Sequence, residues 1–98
     1  MATFVLMTKL PPEMSQKMKD RKSVGREWLN KVKEKCPGVK FISHYALLGP
    51  FDFLDIYEAS NEEEAAKVSM ISLAFGAERA ESWMAIPYNR FLELVKDL

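Results

Sequence analysis

Residues 39–59 read VKFISHYALLGPFDFLDIYEA, and this stretch decides the fold. Two runs rich in aromatic and β-branched residues flank a Gly49-Pro50 break, an order typical of a β-hairpin. Gly49 can take the positive φ that tight turns often require. We therefore predict two antiparallel strands joined at this break, with Leu48 opposite Phe51 as the first pair.

The sequence on either side of the hairpin adds two strands and several helices. Pro11-Pro12 ends the first run of strand residues, and Ser23 can cap a helix. Asn61 followed by Glu64 resembles a capping box, and Gly76 suits a helix C-terminus. The predicted elements are a strand over 3–9, a short helix over 13–20, a helix from 23 to 36, a helix from 61 to 76, a strand over 78–86 and a helix over 88–96.

This order is βαββαβ with a final helix, and it predicts an α+β fold of the ferredoxin-like type. Residues 1–98 then form one domain, with a four-stranded antiparallel sheet and helices on one face. The strands are apolar on both faces: Phe51 and Phe53 alternate with Leu54 and Ile56. A solvated face would carry polar residues, so we expect a second copy of the chain to cover it as a homodimer.

Composition excludes several classes of function. Fourteen basic residues balance fourteen acidic ones, and acidic residues interrupt the basic run over 17–35, so a nucleic-acid partner is not expected. Cys36 is the single cysteine and His44 the single histidine, so we expect no disulfide, no metal site and no cofactor. No apolar run approaches the roughly 20 residues of a membrane span, and no signal peptide is apparent. A cytoplasmic protein without a membrane partner is the expectation.

The hairpin also carries a family resemblance. Gly49-Pro50-Phe51-Asp52 resembles the Gly-x-Tyr-Asp motif of the GYD domain family, with Phe51 in place of the tyrosine. The opening TFVLMTKLPPEM is similar to the start of that family as well. The resemblance implies the dimeric α/β-barrel superfamily, which includes regulator effector domains, cofactor-free monooxygenases, haem-degrading enzymes and lactone isomerases. It does not choose among these functions, because one fold hosts many chemistries.

Counting along the hairpin places His44 directly opposite Asp55 on the same sheet face. An imidazole held by a carboxylate can act as a general base, can contact a ligand, or can be a structural pair that satisfies its own hydrogen bonds. Asp52 is expected to accept hydrogen bonds from neighbouring backbone N–H groups. Cys36, at a helix end, is expected to be a buried and unreactive thiol.

We expect the pair to point into the barrel cavity together with Phe53 and Tyr57, while Leu54 and Ile56 pack under the helices. Arg79 and Trp83 share one face of the last strand and are predicted to line the same cavity. The predicted function is binding of a small hydrophobic or aromatic molecule in that cavity. The alternatives are a cofactor-independent monooxygenase or isomerase, and a purely structural or interaction module.

Overall fold

The computed structural model describes residues 1–98 apart from the side chain of Met18. Four strands and four α-helices follow one another in the predicted order. They are β1 (Ala2–Lys9), α1 (Pro12–Ser15), α2 (Arg21–Lys35), β2 (Lys40–Ala46), β3 (Phe53–Ala59), α3 (Glu62–Ala74), β4 (Arg79–Ala85) and α4 (Tyr88–Val95), with a 3₁₀ turn over Met18–Asp20.

The four strands form one antiparallel sheet in the order β2-β3-β1-β4. Helices α2 and α3 pack on one face of it, which confirms the predicted ferredoxin-like α+β fold. The core lies between these two layers. Leu6 and Tyr57 from the sheet, Val32 from α2 and Val68 from α3 are all fully buried there.

The hairpin has the predicted register and a longer turn than predicted. Ala46 pairs with Phe53 and His44 with Asp55, as counted from the sequence. The connection spans residues 47–52, and the Leu47 N–H donates to the Asp52 carbonyl oxygen at 2.8 Å. The prediction that Gly49 has a positive φ is wrong, since only Gly76 has one among the described residues. A six-residue loop closes the hairpin without a left-handed residue.

The two ends of α3 confirm the capping residues predicted from the sequence. The Asn61 side chain accepts from the Glu64 N–H at 2.9 Å, and the Glu64 carboxylate accepts from the Ser60 N–H at 2.8 Å. Gly76 follows the helix with φ +103°, a value that favours glycine. This local chemistry fixes where α3 begins and ends.

The predictions for the first helical region need correction. The helix predicted over 13–20 is α1 and a separate 3₁₀ turn. The predicted cap at Ser23 is wrong, because α2 begins two residues earlier at Arg21. The Ser23 hydroxyl instead donates to the Asp20 carbonyl oxygen at 3.0 Å, so a serine inside the first turn mimics a cap in the sequence.

The assignment of the β3 side chains to the two sheet faces is also wrong. Tyr57 lies under the helices, where its hydroxyl contacts the α3 carbonyl oxygen of Ala65 at 3.4 Å, and Asp55 shares its face. Leu54 and Ile56 lie on the other side, which we call the open face. The Tyr57 ring fills the deep space below α2 and α3, whereas Leu54 and Ile56 cover part of the opposite sheet surface.

Candidate functional site

A cavity of about 860 Å³ lies between the N-terminal half of α2 and the sheet, and we call it the helix-side cavity. Side chains of α1, α2, β2, β3 and the end of α3 contribute to its wall. The apolar part of the wall consists of Leu10, Met14, Val24, Trp28, Leu29, Phe41, Phe53, Phe75 and Ala77. The polar part includes Lys17, Asp20, Arg21, Lys22, Arg26, His44 and Asp55.

The spacing of residues along α2 shapes this cavity. Arg21, Gly25, Trp28 and Val32 recur at three- and four-residue intervals and therefore share one face of the helix. Val32 is fully buried and anchors the C-terminal half of α2 on the core. Gly25 has no side chain, and a Cβ built there meets nothing within 4 Å. The helix thus leaves space between its N-terminal half and the sheet.

Trp28 forms an ordered wall of the cavity. Its Nε1–H donates to the Ser72 hydroxyl at 2.9 Å, and that hydroxyl donates to the Val68 carbonyl oxygen at 2.9 Å. The indole also packs on the Phe41 ring, with centroids 5.3 Å apart. A hydrogen bond at one edge and ring packing at another hold the indole in a single orientation.

The His44–Asp55 pair lies at the sheet side of the cavity. His44 Nδ1 is 2.5 Å from Asp55 Oδ1, and the two side chains are 58% and 5% exposed. Burial raises the pKa of the Asp55 carboxyl, and the neighbouring imidazole offsets part of that rise. An ionised carboxylate can only accept, so it places the imidazole hydrogen on Nδ1. The Nε2 atom is then left to accept a proton or a hydrogen bond, as a general base does.

Arg21 also contributes to the cavity wall, close to the His44–Asp55 pair. Its guanidinium is 5.6 Å from the centroid of the Phe53 ring, and the His44 ring stacks on Phe53 at 5.4 Å. One Nη donates to the Ser15 carbonyl oxygen at 3.1 Å and lies 3.9 Å from the Asp52 carboxylate. Phe53 therefore brings the cationic side chain and the imidazole to the same part of the cavity.

The structure divides the predicted site residues between the two sides of the sheet. His44, Asp55 and Phe53 line the helix-side cavity. Tyr57 lies deeper in the core on the same face, with its hydroxyl 2.7 Å from that of Ser82. The prediction that the His44–Asp55 pair points away from the helices is wrong, because Asp55 shares the face of β3 that lies under the helices with Tyr57.

Arg79 and Trp83 lie on the open face instead. Arg79 pairs with the Glu81 carboxylate, and its guanidinium lies 5.4 Å from the Phe51 ring centroid. The Trp83 Nε1–H donates to Glu81 at 2.9 Å, and 47% of this residue is exposed. The face predicted for these two side chains is confirmed, but the helix-side cavity lies on the other side of the sheet. Their part in ligand binding stays a prediction.

The two remaining candidates, Asp52 and Cys36, have contacts typical of a structural role. The Asp52 carboxylate accepts the Leu10 N–H at 2.7 Å, as predicted for a residue that holds backbone N–H groups. Cys36 is buried, and burial raises the pKa of its thiol, with Glu64 acting in the same direction. A raised thiol pKa disfavours the reactive thiolate, which agrees with the interpretation of Cys36 as a small apolar residue.

Sequence reasoning missed Arg21 and Phe41 as cavity residues. The acidic residues within the basic run over 17–35 argue against nucleic-acid binding, but they do not reveal that Arg21 continues the apolar stripe of Trp28 and Val32 toward the helix start. A cation on the apolar stripe of an amphipathic helix is the signal that could have identified it. Phe41 precedes a β-bulge between residues 41 and 43, and regular alternation does not foresee a bulge.

Two apolar surfaces lie outside the core, a half-buried one on the sheet and an exposed one on α4. On the open face, Val5 pairs with Ile56 on one side and with Trp83 on the other, so the three side chains form one patch. Helix α4 has no buried residue and exposes Tyr88, Phe91, Leu92 and Val95. No helix in the described part of the chain is both long and apolar enough to cross a bilayer.

Comparison with known proteins identifies one family and one relative. The GYD domain family matches residues 4–95. A protein of Thermus thermophilus named "Glutamine synthetase and cystathionine beta-lyase binding protein" is 26% identical over 96 residues, which are 98% of this chain and the whole of that protein. No solved structure gives a significant match.

Proposed function

This chain belongs to the GYD domain family, and from that premise we propose that it binds a small hydrophobic or aromatic molecule in the helix-side cavity. The observation that carries the proposal is an apolar cavity of about 860 Å³ whose wall includes Trp28, Phe41 and Phe53. Ligand sites of proteins are typically about 300–1,000 Å³ and combine aromatic walls with a few polar groups. The His44–Asp55 pair and Arg21 supply those polar groups.

Titration with the neutral fluorescent dye N-phenyl-1-naphthylamine tests this proposal. We expect saturable binding with one dye molecule per chain. Gly25→Trp should abolish binding, because a side chain at this position points into open space beside the cavity. Gly25→Ala is the matched control and should bind the dye like the wild-type protein.

Dye binding that is not saturable, or that Gly25→Trp leaves unchanged in a folded protein, would contradict the proposal. Circular dichroism of each variant establishes that the fold is intact. Oxygen consumption or chemical conversion of a bound aromatic compound would instead favour the monooxygenase or isomerase alternative. In that case the Nε2 atom of His44 is the base to test first.

A second candidate function is binding of other proteins, and the name of the Thermus thermophilus relative favours it. That relative aligns over its whole length, so an interaction role can extend to this chain without an additional domain. Surface plasmon resonance with purified glutamine synthetase and cystathionine beta-lyase of the same organism tests it. We expect micromolar or tighter binding of at least one enzyme, and binding of neither would reject this role.

We also propose that two copies associate through their open faces. Val5, Ile56 and Trp83 form a contiguous patch of large apolar side chains that α2 and α3 do not cover. A second copy presents the same patch, so one two-fold contact covers both at once. This association leaves the helix-side cavity of each copy accessible from the other side of the sheet.

A further inference from the structure

Charge is distributed unevenly around the helix-side cavity. Its wall combines aromatic rings with four basic side chains, Lys17, Arg21, Lys22 and Arg26, against the two acids Asp20 and Asp55. Asp55 is already paired with His44. The cavity wall therefore has an excess of positive charge among apolar side chains, although the fourteen basic and fourteen acidic residues of the whole chain balance.

The start of α2 adds to this positive potential. The helix spans Arg21–Lys35, its N-cap residue Asp20 makes no side-chain cap hydrogen bond, and its first turn contains no acidic residue. The first N–H groups of an α-helix have no partner within the helix and carry a partial positive charge. The first turns of α2 thus place three basic side chains, Arg21, Lys22 and Arg26, beside a helix start that has no side-chain cap.

Arg21 is held in place before any ligand arrives. The hydrogen bond to Ser15 and the stacking over Phe53 fix its guanidinium, and 27% of the side chain stays accessible. Its Nε atom is buried and has no hydrogen-bond partner among the described residues. The Asp52 carboxylate forms an ion pair with Arg21 at 3.9 Å, a distance longer than a hydrogen bond, and its other oxygen accepts the Leu10 N–H.

From this arrangement we infer that the ligand of the helix-side cavity is an apolar or aromatic carboxylic acid whose carboxylate binds to Arg21. The inference rests on the proposed binding function and adds the chemical class of the ligand. A guanidinium offers several N–H donors in one plane, which matches the two oxygens of a carboxylate. The aromatic wall of Trp28 and Phe41 then receives the apolar body of the acid.

Isothermal titration calorimetry with 2-naphthoate and its neutral amide, 2-naphthamide, tests this inference. The two probes share an aromatic body and differ in charge. A hydrogen bond to a charged group corresponds to about tenfold to hundredfold in affinity, so the wild-type protein should prefer the acid by at least about tenfold. In Arg21→Met the preference should disappear while the affinity for the amide stays the same.

Two further variants complete the experiment. Lys31→Met removes a cation from an exposed position of α2 outside the cavity wall and should keep the full preference for the acid. Arg21→Lys retains the charge and should keep part of the preference, which preserves the test if Arg21→Met fails to fold.

Equal affinity of the wild-type protein for the acid and the amide would overturn this inference and leave the proposed binding function standing. Binding of N-phenyl-1-naphthylamine without binding of either naphthalene probe would overturn it too. Failure of the neutral dye to bind would reject the binding function itself. An acid preference that persists in a folded Arg21→Met protein would remove Arg21 from the site.

Discussion

The His44–Asp55 pair joins a buried carboxylate to an exposed imidazole, and its two partners therefore depend on each other unequally. Without His44, the Asp55 carboxylate stays buried and loses its hydrogen-bond partner. Without Asp55, the imidazole still has water around it. A buried polar group that loses its partner costs the desolvation energy of that group, whereas an exposed group does not.

We expect His44→Ala to lower the free energy of unfolding by about 1–3 kcal/mol and Asp55→Ala to lower it less. The double variant should be more stable than the sum of the single changes predicts, with a coupling of about 0.5 kcal/mol or more. Urea denaturation of the four proteins measures these quantities. Additive effects would mean that the contact contributes nothing to stability.

The pH dependence of the free energy of unfolding provides a second, independent test of the pair. Burial raises the pKa of Asp55 above its ordinary value of 3.8, so the folded state holds this proton to higher pH than the unfolded state does. The contribution of Asp55 to stability is therefore complete below pH 3.8 and is lost as pH rises through its folded pKa.

Asp55→Asn should remove this loss of stability at rising pH. His44→Ala should enlarge it, because the imidazole lowers the pKa of Asp55. Urea denaturation of both variants from about pH 4 to neutrality measures the change. A decline with pH that is the same in the wild-type protein and in Asp55→Asn would contradict the assignment.

At the scale of single elements, two glycines have opposite roles. Gly25 lies inside α2 and has open space around it, so it shapes the cavity and weakens the helix. Gly76 ends α3 with φ +103°, and a Cβ there would lie 3.0 Å from the Met14 sulfur. Only the second glycine is required by the backbone conformation.

Replacement of each glycine by alanine should therefore change stability in opposite directions. Gly25→Ala should raise the free energy of unfolding by about 0.5–1 kcal/mol, because alanine favours the helix. Gly76→Ala should lower it by about 1–3 kcal/mol, because it forces a side chain into a left-handed conformation. Thermal or urea denaturation compares the two variants directly. Destabilisation by Gly25→Ala would show that the space beside α2 is filled.

At the scale of the whole molecule, the chain is more extended than a compact domain of its size. Its radius of gyration is 14.6 Å, whereas about 13 Å is typical of 100 residues. Helix α4, which has no buried residue, and the uncovered sheet face both leave apolar surface exposed. Apolar surface of this extent is typical of chains that associate.

We expect light scattering of the wild-type protein to give at least twice the chain mass of 11.3 kDa. Ile56→Glu places a charge in the middle of the open face and should shift the protein toward monomers. Met70→Glu changes an exposed apolar residue of α3, away from that face, and should leave the assembly intact. A wild-type monomer at micromolar concentration would reject association through the open face, whereas a ring of dimers would not.

The sequence by itself determined the features that depend on neighbouring residues. Alternation and turn residues were sufficient for the order of strands and helices and for the pairing of His44 with Asp55. The capping box at Asn61 and the end of a helix at Gly76 were predicted for the same reason: their chemistry lies within a few residues of chain. The Ser23 cap shows the limit of such signals, since a serine inside a helical turn looks the same in sequence.

Only the tertiary structure decided which face of β3 lies under the helices. A strand has a period of two residues, and both sets of its alternating side chains are apolar here, so the pattern favours neither set. The choice depends on which side chains fill the space below α2 and α3, where the Tyr57 ring fits. The helix-side cavity and the place of Arg21 follow from that choice, because a cavity exists only between elements that are distant in the chain.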